Sequence, residues 1–272
     1  MRKILTAITV AMSSVCASAG PITGRALLLG ALLFPCIMSA QAPVPRESLG
    51  TVRYEVRYKL KNIETKVAEA TISLERSRRA DQPVLHAHAS VRAQSVFRLF
   101  LNAQYLADSY MTPDGTGPIY YVNPVKRGGK EGKFECVYDK GNGTVRTEFV
   151  KPPADPVVKT LPDDGGTMDL LSLLQFVRFK DFTEGKPVAM HLLMGARSSS
   201  ATLTLQGIDS DRFPGKRTER LHLKMHGQGL MENGSGDEIT VWRSTGSDRT
   251  LLALETSLGS GLMTVCITED NR

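Results

Sequence analysis

The sequence predicts a mainly β protein: a large curved antiparallel sheet or sheets, barrel-like or sandwich-like, with one or two short helices packed on it. Three observations predict this. Apolar and polar residues alternate with a period of two in segment after segment of the chain. Glycine-rich turn sequences separate these segments at the spacing of about ten residues that suits a sandwich or barrel. No alternation of strand and helix patterns marks a parallel α/β sheet.

The first segment shows the pattern most clearly. Val52, Tyr54, Val56, Tyr58 and Leu60 alternate with Arg53, Glu55, Arg57 and Lys59. One face is apolar and the other charged, as in an antiparallel sheet with one wet side. Ala68, Ala70, Ile72 and Leu74 repeat the pattern against Glu69, Thr71, Ser73 and Glu75. Leu85, Ala87, Ala89 and Val91 repeat it against His86, His88, Ser90 and Arg92. Further strands are expected around 103–111, 117–124, 132–139 and 144–150, with turns at Asp114-Gly115, Gly128-Gly129 and Gly141-Asn142-Gly143. Beyond residue 185 the candidates are Val188–Met194, Ala201–Ile208, Glu219–Met225, Glu238–Arg243, Leu251–Leu258 and Met263–Thr268.

Two helices interrupt the strands. Ser95–Asn102 is short and places Val96, Phe97 and Phe100 on one side. The second follows Asp163-Asp164-Gly165-Gly166, with Thr167 expected to cap it and Asp169 to complement the helix dipole. Leu170, Leu171, Leu174 and Val177 follow helical spacing, and Leu173 and Phe176 widen the apolar face until it must pack on the sheet.

The N-terminus reads as targeting sequence. Arg2 and Lys3 precede an apolar run and Ala17-Ser18-Ala19, and Arg25 precedes a second run from Ala26 to Met38 ending in Ser39-Ala40-Gln41-Ala42. That second run is too short to cross a bilayer and carries Pro35. Residues 1–40 are expected to be removed on export to the periplasm or cell envelope, 41–50 to form a linker, and 51–272 a single β-rich domain. The Pro-rich 152–162 stretch is expected to be a surface loop, and 152–166 is where two halves would meet. No transmembrane span is expected in the mature chain.

Charge narrows the partners. The formal net charge is +6, but without Arg2, Lys3 and Arg25 there remain 31 basic and 28 acidic residues, a net of +3. That mixed surface speaks against nucleic acid. Lys126-Arg127-Gly128-Gly129-Lys130 and Lys216-Arg217-Thr218-Glu219-Arg220 are the densest basic clusters, and turn lysines keep sheet edges soluble. Cys136 and Cys266 could pair in an oxidising compartment or stay as two buried thiols.

No residue pattern points to chemistry. His86-x-His88 and His222/His226 lie on polar faces, the latter pair sharing its face with Lys224, and read as solvated rather than as metal ligands. Gly234-Ser235-Gly236 and Gly259-Ser260-Gly261 read as hairpin turns, not nucleophile elbows. Asp163-Asp164-Gly165 reads as capping chemistry. No cofactor is expected.

The order of features resembles the bacterial exported-protein family catalogued as domain of unknown function 3108. The matching pieces are Tyr54-Glu55-Val56-Arg57-Tyr58, Ala68–Leu74 and Asp108-Ser109-Tyr110. They continue with Tyr138–Val145, Met168–Leu174, Gly185-Lys186-Pro187 and Ile239-Thr240-Val241-Trp242. The resemblance implies an exported envelope protein built on an extended, curved antiparallel sheet, and implies no activity. One departure is that the helix opens Thr167-Met168-Asp169 where the family usually has Asp-Pro.

The expected role is a non-enzymatic binder of a hydrophobic or glycan ligand, with lipid, glycan or another envelope protein as partner. Tyr54, Tyr58, Leu223, Met225 and Trp242 are its candidate contacts. The alternatives are an envelope polysaccharide or peptidoglycan hydrolase, and an assembly factor pairing through a sheet edge.

Overall fold

The computed structural model describes residues 47–94, 104–127, 130–150, 155–194, 197–226, 238–247 and 249–271. The targeting segment and the Ser95–Asn102 helix expected from the sequence lie outside these residues. The first eight strands are β1 (Glu47–Leu60), β2 (Ile63–Arg79), β3 (Gln82–Ala93), β4 (Gln104–Met111), β5 (Pro118–Arg127), β6 (Lys130–Asp139), β7 (Thr144–Val150) and β8 (Val157–Pro162). A two-residue strand, β9 (Thr167–Met168), leads into the helix α1 (Leu170–Phe179). Then come β10 (Pro187–Met194), β11 (Arg197–Asp209), β12 (Thr218–His226), β13 (Glu238–Ser244), β14 (Leu251–Leu258) and β15 (Gly261–Asn271).

The strands form one 15-stranded sheet in the order β8-β7-β6-β5-β4-β3-β2-β1-β15-β14-β13-β12-β11-β10-β9. Every pairing is antiparallel except the short parallel bridge of β9 to β10. The period-two pattern explains the inner face: Val52, Tyr54, Val56 and Tyr58 of β1 are buried while Arg53, Arg57 and Lys59 are exposed. Residues 47–50 belong to β1 rather than to a linker. β2 runs 17 residues, and Glu47 and Ser48 pair with its far end at Arg76 and Glu75.

The sheet's two edges, β8 and β9, are joined by only four residues, Asp163–Gly166. A connection that short spans less than about 20 Å, so the sheet must curl until its edges approach. The connection is bonded to both sides: Asp163 N–H donates to the Gly143 carbonyl beside β7, and His191 N–H of β10 donates to the Gly166 carbonyl. The Pro-rich stretch is therefore not all loop, since Val157–Pro162 pairs with β7 as an edge strand.

α1 fills the inside of the curl. Leu171 packs with Ala89, Ala107, Tyr121, Phe134 and Tyr138 from β3 to β6. Leu173, Phe176 and Val177 pack with Leu192, Leu203, Leu221 and Val241 from β10 to β13. A helix that is apolar nearly all round belongs inside. The capping residue is Asp169, not Thr167, which lies in β9: Asp169 accepts the Ser172 N–H at 2.9 Å. At the far end Phe179 abuts Gly115, whose φ of +71° and lack of a Cβ let the β4–β5 turn approach the ring.

Candidate functional site

The C-terminal half of α1 faces the start of β1, the end of β2 and the start of β14. Leu49, Val52, Tyr54, Ile72 and Leu251 make the walls of a partly open crevice there, and α1 contributes Gln175 and Arg178. Its free volume is about 20 Å³, room for one water-sized group. Gln175 is 2% exposed, and its Oε1 has no hydrogen-bond partner among the described residues. A buried acceptor left without a donor costs about 1–3 kcal/mol. The crevice has room for one hydrogen-bond donor against that acceptor.

A second polar group lies deeper. Asp169 is buried, and its Oδ2 accepts from Ser109 Oγ at 3.0 Å and from the Tyr138 hydroxyl at 3.4 Å. Burial raises its pKa against the lowering pull of the Ser172 and Ser109 donors. Tyr105 and Tyr121 share a hydroxyl–hydroxyl bond of 2.7 Å nearby. This network faces packed side chains and anchors the helix N-terminus.

A third cluster lies on the outer face. His86 is 7% exposed, with Nδ1 2.8 Å from Glu75 Oε1 and Nε2 2.8 Å from Asp108 Oδ1. Its ring stacks on Tyr110 at 4.3 Å, and Arg79 lies over Tyr110 and Tyr120. His88 Nδ1 also meets Asp108, at 2.9 Å. Burial lowers the His86 pKa, but the two carboxylates, Asp108 and then Glu75, more than offset it and hold it above the ordinary histidine value. His86 is thus not a solvated histidine: the neighbouring strands β2 and β4 bury it. His222 and His226 lie on β12, six strands away in the sheet, where His226 meets Thr202. Among the described residues no group of three or more His, Cys, Asp or Glu is arranged to hold a metal ion.

The structure does not gather the residues expected to contact a ligand. Tyr54 lines the crevice. Tyr58 donates to the Leu258 carbonyl at 3.0 Å in a separate apolar cluster. Leu223 and Met225 are core residues under α1. Trp242 lies apart, its Nε1 donating to Asp209 at 3.1 Å and its ring under Arg212. The Cys136–Cys266 disulfide is not formed. Both thiols are free: Cys136 packs in the interior with Tyr138 and Val145, whereas Cys266 pairs across strands with Glu55 on the opposite, charged face. Gln175 was missed by pattern reading, although a signal was present: it lies four residues after Leu171, where the inward stripe calls for an apolar side chain.

These features define a class: a mainly β, barrel-like protein made of one curled sheet around an internal helix. The chain belongs to the family described as "Protein of unknown function (DUF3108)", whose profile matches residues 53–266. No curated protein matches it. Among solved structures it is similar to the crystal structure of a beta-barrel-like protein of domain of unknown function DUF1849 from Brucella abortus. The identity is 12% and the TM-score 0.48, over 84% of this chain and 97% of that one. Among the described residues no helix is long and apolar enough to cross a membrane.

Proposed function

We propose that the protein is exported to the cell envelope and acts there by binding, holding an apolar ligand with a hydrogen-bond donor in the crevice between α1, β1 and β2. The unpartnered Oε1 of Gln175 carries this reading. The donor would occupy the water-sized space against Gln175, and the ligand's apolar body would lie along Leu49, Tyr54 and Ile72 at the open side. Arg178 at the same crevice suits a polar or anionic head group. The basic and apolar N-terminal segments support export. The edge-pairing alternative finds less support: β8 is six residues long, carries Lys159, and is bracketed by Pro156 and Pro162, features that discourage strand addition.

Two measurements test the proposal. Protein recovered from the periplasmic fraction should begin after Ala40 or Ala42, and recovery only from the cytoplasm with Met1 intact would overturn export. Native mass spectrometry of that protein, without detergent, should show a bound small molecule. Gln175→Leu should then lose the adduct and yet gain about 1 kcal/mol of stability, because it removes an unanswered acceptor. A variant that is destabilised while the adduct persists, or a wild-type protein that never carries one, would sink the binding reading.

A further inference from the structure

Two hairpin tips, at the far ends of β1 and β14 from the α1 crevice, form a separate surface. β1 and β15 are neighbours, with Lys59 opposite Leu262, so the β1–β2 turn (Lys61-Asn62) and the β14–β15 turn (Gly259-Ser260) stand side by side. Between them lies an open crevice of about 450 Å³, lined by Lys59, Lys61, Ser257, Ser260 and Leu262 and the flanking glycines. No acidic side chain lines it. The nearest acid in register, Glu64 opposite Lys59, has its carboxylate 3.9 Å from Arg57. Lys59 and Lys61 have no ion pair among the described residues.

Two further observations describe the tip. Lys61 adopts φ +53° at the first central position of a two-residue turn, where glycine would be unstrained; Gly259 holds the equivalent place in the adjacent hairpin at φ +60°. Ala80 takes the same place in the β2–β3 turn at φ +45°, so it is the charge of Lys61, not its conformation, that bears on binding. Ile63, two residues on, is 72% exposed, the most exposed large apolar side chain among the described residues. Unpaired cations beside a protruding isoleucine match an anionic lipid surface, which offers phosphates to the lysines and an apolar boundary to the side chain. A free phosphate would have no use for Ile63.

We propose that the paired tips of the β1–β2 and β14–β15 hairpins dock on a membrane carrying anionic phospholipid. Lys59, Lys61 and Ser260 engage lipid phosphates, and Ile63 enters the headgroup boundary. This surface is independent of the α1 crevice, and either can fail without the other.

Vesicle co-sedimentation tests it. The purified protein should pellet with vesicles of phosphatidylcholine plus phosphatidylglycerol and stay in solution with phosphatidylcholine alone, and added salt should release it. Lys61→Gly, which relaxes the turn and must still fold, should weaken binding about fivefold, and the Lys59→Ala/Lys61→Gly double variant about twenty-five-fold. Ile63→Ser should weaken it severalfold while leaving salt sensitivity intact. Lys216→Ala, an exposed lysine in the β11–β12 turn at the opposite rim, should bind like wild type. The proposal is overturned if the protein ignores phosphatidylglycerol, or if Lys216→Ala weakens binding as much as Lys61→Gly. It is equally overturned if inorganic phosphate shifts the Lys61 region in NMR spectra while vesicles leave the protein in solution.

Discussion

At the scale of single residues, His86 shows how far a side chain's neighbours can override its sequence context. Its alternation with Leu85 and Ala87 puts it on the outer face, where a histidine should be wet. Instead Glu75 on β2 and Asp108 on β4 grip both ring nitrogens, and Tyr110 covers the ring. A folded pKa above the unfolded value near 6.5 means the proton stabilises the fold below that pH, and the gain is lost as pH rises through the folded pKa. Asp108 works the other way. Its burial raises its pKa, but the hydrogen bonds from His86 and His88 lower it overall, so its contribution is present above about pH 4 and is lost on further acidification. His86→Gln should therefore cost about 2 kcal/mol near pH 5.5, leaving Glu75 and Asp108 to repel each other, and markedly less at alkaline pH. Thermal melts of both proteins across pH check this. A difference that is flat with pH would show that the histidine is held as a neutral ring. None of this was legible in one sequence, because the partners are 11 and 22 residues away and only strand register brings them together.

The helix is the element on which the architecture turns, and buried charge holds both its ends. Asp169 caps the N-terminus, and at the C-terminus the Arg243 guanidinium donates to the carbonyls of Val177 and Lys180. Arg243 is 1% exposed and is held at the other end of its fork by Glu219 at 2.5 Å. An anion at the N-terminus and a cation at the C-terminus both match the helix dipole. The expected costs differ. Arg243→Leu leaves Glu219 and the helix carbonyls without their partner and should cost about 3–5 kcal/mol. Asp169→Ala removes a cap and orphans Ser109 and Tyr138, for about 2–3 kcal/mol. Asp169→Asn keeps a capping oxygen but gives up the anion at the helix N-terminus, and should cost about 1 kcal/mol at pH 7. Burial raises the Asp169 pKa, so the wild-type carboxyl gains stability as pH falls below its folded pKa and loses it as pH rises through that value. Chemical denaturation of the three variants checks the ranking, and an Asp169→Asn protein as damaged as Asp169→Ala would mean that the full charge is required. The helix itself was legible from the spacing of Leu171, Leu174 and Val177, but its cap was not. Thr167 and Asp169 are both good caps by type, and the β9 bridge to β10 takes Thr167 out of contention. β8 was hidden for a related reason: Val157-Val158-Lys159 has no alternation, because an edge strand half out of the core is not held to the pattern.

At the scale of the whole molecule, the antiparallel sheet could be read from alternation alone, but its single continuous curl could not. The curl depends on β1 meeting β15 across most of the chain length and on four residues tying β8 to β9. It also depends on α1 having two apolar sides that face different stretches of the sheet. Leu171 belongs to the β3–β7 cluster, which Leu193 of β10 also joins, and Leu173 to the β9–β14 cluster, so the helix packs against both regions through the interior. This makes a specific claim about cooperativity. Leu171→Ala should cost about 3 kcal/mol through its own cavity. If α1 couples the two regions, native-state hydrogen exchange in that variant should quicken in β10–β13 as well as in β4–β7, and unfolding should remain one transition. If the two regions are stable on their own, faster exchange will be confined to β4–β7, and β10–β13 will keep wild-type protection. In that case the helix is packing for one region only, and the curl is held by the β1–β15 pairing and the Asp163–Gly166 connection without its help.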